Sequence, residues 1–302
     1  MRPITWIDDF VSGSATGEEF GFTFGGLGAI LYYEIGRGNR LSAHRRGLCV
    51  APRMAKWTGK HGKGPAMTVR WESTQVDGNT MRIYVGVPDR PGPHPGIVIA
   101  QHAGGVDAQI QDGVHRLHRE GYVVAAPELF HRQAADVDPS KRTSLLLDRE
   151  IIADANATLA HLKTLRVQVA PLGIVGFCMG GRVSYLMACV QPAFKAAAVF
   201  YGGNIMKALG DGPSPFERSG GIACPLIGFF GAQDGNPSPD DVKKIDAELT
   251  RLGKPHEFHT YLGAGHAFQN FIAPERYRER AARASWHEML AFFTEHLKRG
   301  GE

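Results

Sequence analysis

The sequence predicts an α/β protein with a mostly parallel sheet covered by helices on both faces, and three observations carry that expectation. Short apolar runs of strand length alternate with helical stretches from residue 80 to the end. The inner runs are apolar throughout, as strands buried on both faces are. No internal repeat interrupts residues 67–302, which read as one domain. With 302 residues, 43% hydrophobic and 21% charged, the chain can offset ordering entropy with one large core.

The elements follow in order. Residues 80–87 alternate apolar and polar and end at Pro88, as a half-buried strand does, while residues 96–100 form a continuous apolar run. A polar segment over 107–120 precedes a strand at 122–126, and its His115 and His118 fit a surface helix. Residues 143–165 read as a helix, with Ile151, Ala155, Leu159 and Leu162 at helical spacing. A strand at 172–175 leads into a helix at 179–190, and strands follow at 196–201 and 225–230. Ser238-Pro239-Asp240-Asp241 is a helix start: a capping hydroxyl, a proline in the first turn, and two acids at the positive end of the dipole. Val242, Ile245, Leu249 and Leu252 give that helix its apolar face. A strand near 257–262 and a helix near 275–298 complete the series.

Charge divides the chain. Of its net +4, residues 1–66 hold nine Lys/Arg and five Asp/Glu, so residues 67–302 are formally neutral, and all eight charged residues from Arg37 to Lys63 are basic. The 1–66 segment is expected to be a Gly-rich, poorly ordered extension. An arm for nucleic acid or anionic membrane is the competing reading, and it rests on composition alone. Neither nucleic acid nor membrane is therefore expected as a partner. The uncharged stretch 20–33 is too short to span a bilayer and lacks the basic flank of a signal peptide. Four cysteines with no C-x-x-C pair indicate neither a zinc ribbon nor a disulfide framework and fit a reducing cytoplasm.

Chemistry concentrates at Gly176-Phe177-Cys178-Met179-Gly180, where a buried strand turns directly into a helix. A nucleophile on such a turn needs glycines two residues to either side to relieve crowding. The following helix aims free N–H groups and its positive end at the sulfur, favouring thiolate. A small buried cysteine among packed glycines is the bland alternative. A thiol nucleophile needs a base, and the base an orienting acid. Asp234, in Gly231-Ala232-Gln233-Asp234-Gly235-Asn236, and His266, in Gly265-His266-Ala267-Phe268, each follow a strand and come in the order nucleophile, acid, histidine. Taken singly, Asp234 also suits an Asx turn and His266 a surface loop.

Together with Ile99-Ala100-Gln101 and Ala126-Pro127-Glu128-Leu129-Phe130-His131-Arg132, these motifs make residues 67–302 resemble the dienelactone hydrolases. The resemblance implies an α/β-hydrolase fold and a Cys178–His266–Asp234 triad. It also implies cofactor-free cleavage of small lactones, esters or thioesters through an acyl-enzyme. The backbone N–H groups of Met179 and Ala103 are the implied oxyanion donors. Two departures stand out. His102 occupies the place where the family usually carries a glutamate that helps take the thiol proton, so His102 is expected to tune the thiol. Arg132 matches one of two arginines that grip a substrate carboxylate, but Asn270 stands where the second would be.

His256, His259, His287 and His296 have no ligand spacing for a metal, and none is expected. His131 fits either a pocket wall or a solvated loop, and Cys189 and Cys224 read as core thiols. The expected partner is a small ester or lactone, and the expected assembly a monomer or weak homo-oligomer. A non-catalytic relative binding a ligand or protein through the same pocket remains the alternative, as does a hydrolase of carbon–halogen or amide bonds.

Overall fold

The computed structural model describes residues 68–299; the extension expected over 1–66, with Cys49, lies outside them. An eight-stranded sheet in the order β1-β2-β4-β3-β5-β6-β7-β8 forms the centre. In chain order its strands are β1 (Thr68–Val76), β2 (Asn79–Val87), β3 (His94–Ala100), β4 (Val123–Pro127), β5 (Val169–Phe177), β6 (Phe194–Phe200), β7 (Leu226–Gly231) and β8 (His256–Tyr261). Strands β1 and β2 make an antiparallel hairpin, and β2 runs antiparallel to β4. All other neighbours are parallel. The hairpin turns on Asp77-Gly78, both at positive φ, the geometry that matches the twist of the flanking strands. β1 is absent from the sequence reading because this edge strand is half exposed and carries few apolar residues.

Among the described residues five α-helices cover the sheet: α1 (Ala108–Arg119), α2 (Asp148–Leu162), α3 (Met179–Val190), α4 (Pro239–Arg251) and α5 (Glu279–Phe293). Alternate strand residues separate two apolar layers. Val98, Ile174 and Val199 face α2, α3 and α4 through Ile151, Val183, Leu186 and Ile245. Ile99, Val175 and Ala198 face α1 and α5 through Ile110, Val114, Trp286 and Met289. Among the described residues no helix is long and apolar enough to cross a membrane.

Three helices depart from the sequence reading. The polar 107–120 segment forms α1, capped by Asp107, whose carboxylate accepts from the N–H groups of Gln109 and Ile110. Its Ile110, Val114 and Leu117 are fully buried, and His118 lies on that same face at 2% exposure, so it is not a surface histidine. The 143–165 helix is broken: a 3₁₀ turn, Pro139–Leu145, precedes extended Leu146 and Leu147, and α2 starts only at Asp148, whose N–H donates to the Leu209 carbonyl. The last helix starts at Glu279, after turns that tie Arg276 and Tyr277 back to Ala273. The Ser238 start holds, with Ser238 and Asp241 capping each other's backbone N–H groups.

Because β3 and β5 to β8 are parallel, their carboxyl ends share one edge of the sheet. Ala103, Cys178, Tyr201, Asp234 and His266 all lie within a few residues of those ends.

Candidate active site

Cys178 joins β5 to α3 with φ +57° and ψ −118°, a backbone that side chains rarely adopt. The flanking glycines permit it. A Cβ on Gly176 would sit 1.9 Å from the Gly180 carbonyl oxygen, and one on Gly180 would sit 2.0 Å from that of Ala100. The Cys178 N–H donates to the Phe200 carbonyl at 3.0 Å, pinning the turn to β6.

His266 follows β8 and turns its ring toward the sulfur, with Nε2 3.0 Å from Cys178 Sγ. Its Nδ1 donates to Asp234, 2.9 Å from Oδ2 and 3.2 Å from Oδ1. Asp234 is buried, and its Oδ1 also accepts the Asn236 N–H at 2.8 Å. The Asx turn and the carboxylate–histidine contact therefore coexist in one side chain. Met179 and Ala103 border the same cavity as the Cys178 sulfur, and their backbone N–H groups favour its ionised form.

Burial alone would push the Cys178 thiol up. The hydrogen bond and charge of His266, with the N–H groups of Met179 and Ala103, outweigh it and hold the thiol below its ordinary value. Burial likewise works against the charged form of His266, but the bonds to Asp234 and Cys178 and their charges raise it to about 10. Both shifts favour the charged forms of the pair, thiolate on Cys178 and imidazolium on His266.

A cavity of about 210 Å³ opens over the sulfur. Ala103, Met179 and His266 border it together with Gly203, Asn204, Lys207 and Leu209 of the loop after β6, Asn236 after β7, and Thr143 and Ser144 of the 3₁₀ turn. Apart from the first three, sequence reasoning missed these residues. Only Asn236, two positions beyond Asp234, carries a local signal; the others arrive through long-range folding.

Three expected substrate or tuning residues sit elsewhere. Both ring nitrogens of His102 are engaged within its own loop: Nε2 lies 2.8 Å from Asp107 Oδ2, and Nδ1 accepts the Gly104 N–H at 3.2 Å. His102 thus uses both ring nitrogens to brace the loop that caps α1. The Arg132 guanidinium donates to buried Asp154 at 2.7 Å and to Asp77 at 2.9 Å. It ties α2 to the β1–β2 turn and does not border the sulfur cavity. Asn270 closes a turn, its Oδ1 accepting the Ile272 N–H at 3.0 Å. His131 is 3.0 Å from Asp154 and borders a different cavity, with Gly104, Glu128 and Arg142. Among the described residues no group of three or more His, Cys, Asp or Glu side chains could hold a metal ion.

A strand-to-helix elbow at the carboxyl edge of this sheet defines the α/β-hydrolase fold. Comparison with known proteins narrows the class. The profile of the Dienelactone hydrolase family matches residues 81–297. A protein of Yersinia pestis named "Putative carboxymethylenebutenolidase" is 31% identical over 228 residues, covering 72% of this chain and 85% of that protein. A crystal structure described as a "Putative Dienelactone Hydrolase" from Klebsiella pneumoniae superposes with a TM-score of 0.70 at 30% identity, covering 76% of this chain and 99% of the other. A dienelactone hydrolase-like phosphotriesterase, P91, from metagenomic libraries shares the fold at 20% identity, with a TM-score of 0.64 and coverage of 76% and 99%. The chain belongs to the dienelactone hydrolase family and is a hydrolase of carboxylic ester bonds.

Proposed function

We infer that the protein hydrolyses small esters, lactones or thioesters with Cys178 as nucleophile, through a covalent thioester. The observation that carries this reading is the chain of contacts from sulfur to His266 Nε2 at 3.0 Å and from His266 Nδ1 to Asp234 at 2.9 Å. The cavity volume favours small substrates.

The Cys178 thiolate attacks the carbonyl carbon, and the carbonyl π electrons move to oxygen. The N–H groups of Met179 and Ala103 receive that oxyanion; such preorganised donors are typically worth about 3–4 kcal/mol each in the transition state. Collapse breaks the bond to the leaving oxygen or sulfur, which takes the Nε2 proton of His266. The imidazole, now neutral, accepts a proton from water as the water oxygen adds to the thioester carbon. Collapse of the second intermediate expels the thiolate and releases the acid. Asp234 keeps Nδ1 protonated and the ring aligned, and stabilises the imidazolium.

Turnover of a panel of lactones, aryl esters and thioesters by wild type and Cys178→Ala tests the reading. Loss of activity in a folded variant supports it, and retained turnover refutes it. Amide and carbon–halogen substrates in the same panel separate this chemistry from its nearest relatives.

A further inference from the structure

Charge around the cavity is one-sided. Among the described residues no Asp or Glu borders it, whereas Arg182, Lys207 and His266 do. Two of these cations are already matched. Arg182 is almost fully buried and forks onto Asp148 at 2.6 and 2.9 Å, with further bonds to the carbonyls of Asn204 and Lys207. His266 is matched by Asp234 and the thiolate.

Lys207 differs. Its backbone is fixed on both sides: the carbonyl accepts from Arg182 Nη2 at 2.7 Å, and the N–H donates to the Asn204 carbonyl at 3.0 Å. Its residue is exposed, and among the described residues no carboxylate pairs with its ammonium. The loop that presents it is anchored again at Leu209, whose N–H donates to Asp148 at 3.1 Å and whose carbonyl accepts from the Asp148 N–H at 2.8 Å. An anchored backbone carrying an unmatched cation at a cavity without acids is arranged to meet a negative charge from outside.

We propose that Lys207 is a specificity-determining residue that selects esters carrying an anionic group, such as a carboxylate, at the far end of the acyl chain. This rests on the thioester reading above. Arg182 is a positioning residue here: with its charge consumed by Asp148, it holds the Lys207 backbone and leaves anion recognition to the ammonium. The interaction is solvent-accessible, so it weakens as salt screens it.

The test uses the full chain and two probes, mono-para-nitrophenyl adipate and the neutral diester in which its free carboxylate is methylated. The readout is the ratio of kcat/KM for the anionic over the neutral ester, with para-nitrophenolate release followed for both and acylation of Cys178 checked by mass. Wild type is expected to favour the anion. Lys207→Ala should lower the ratio about tenfold, the scale of one charge-assisted hydrogen bond. Lys207→Arg should preserve the ratio, and Lys207→Glu should invert it. Raising salt should reduce the wild-type ratio and leave that of Lys207→Ala nearly flat. If both esters acylate Cys178 but the ratio is the same in all four proteins, the Lys207 proposal is overturned and the thioester reading survives. If neither ester acylates Cys178, the thioester reading fails and takes this proposal with it.

Discussion

The ring of Tyr201 meets the imidazole of His266 edge-on, with centroids 5.3 Å apart. Tyr201 is fully buried just past the end of β6, at φ +38°, and also meets the ring of Phe268 edge-on, with centroids 5.1 Å apart. Positive φ is uncommon for so bulky a residue. Cys178, Asn204 and Ala267 share it, and all four lie in or beside the site. Strain of this kind persists only where surrounding packing over-determines it. Tyr201 is the wall against which His266 is held.

Removing that wall should be costly. Tyr201→Ala is expected to destabilise the fold by about 3–5 kcal/mol, as large aromatic truncations do, and to lower kcat. Tyr201→Phe keeps the ring and should retain most of the turnover. Thermal unfolding and steady-state kinetics on both variants check this; equal kcat in wild type and Tyr201→Ala would remove Tyr201 from the positioning of His266.

The ionisation of the pair sets the pH dependence of kcat/KM. Protonation of the thiolate removes the nucleophile, and because the Cys178 thiol is held below its ordinary value, activity should persist below the usual thiol range, near pH ~8.5. Deprotonation of His266 removes the proton destined for the leaving group, so activity should fall as pH rises through about 10. A bell-shaped profile with these limbs is expected. An acid limb centred on the ordinary thiol value would contradict the thiolate–imidazolium state.

Asp234 raises His266 through its hydrogen bonds and charge. Asp234→Asn should therefore move the alkaline limb to lower pH. It should also lower kcat by about four orders of magnitude, as loss of the acid does in other triads. A full pH–rate profile of the variant reads both effects, and an unmoved alkaline limb would separate Asp234 from the ionisation of His266.

Much of this site was legible because its geometry is local. The crowding at the elbow demands glycine at 176 and 180, so the sequence there announces itself. Asp234 stands three residues after β7, whose apolar run is clear, and His266 five residues after β8, where only Phe258 and Tyr261 are apolar. The surroundings of Arg132 were less legible, because its partners, Asp77 and Asp154, are distant in sequence and meet it only in the fold. The same holds for Thr143, Ser144 and Lys207: the 3₁₀ turn and the 203–209 loop take their places through Arg182, Asp148 and Leu209. His118 looked like a surface residue because α1 is mostly polar, yet it falls on the narrow apolar stripe with Ile110, Val114 and Leu117.

Thiol reactivity should discriminate sharply. Burial pushes Cys189 up to about 12 and Cys224 to about 11, whereas Cys178 is lowered. Iodoacetamide near neutral pH should label Cys178 ahead of both, as peptide mapping would show. The pH profile of that alkylation should coincide in wild type and His102→Gln, because His102 is committed to Asp107 and Gly104. A displaced profile would return the thiol-tuning role to His102.

The central claim is a covalent acyl-enzyme on one sulfur, and rapid-quench intact-mass measurement tests it most directly. Wild-type protein mixed with para-nitrophenyl acetate and acid-quenched within the first turnover should gain one acetyl group. Peptide mapping should place it on Cys178, and Cys178→Ala should gain none. An adduct on another residue, or steady release of nitrophenolate with no mass gain at any quench time, would contradict the account.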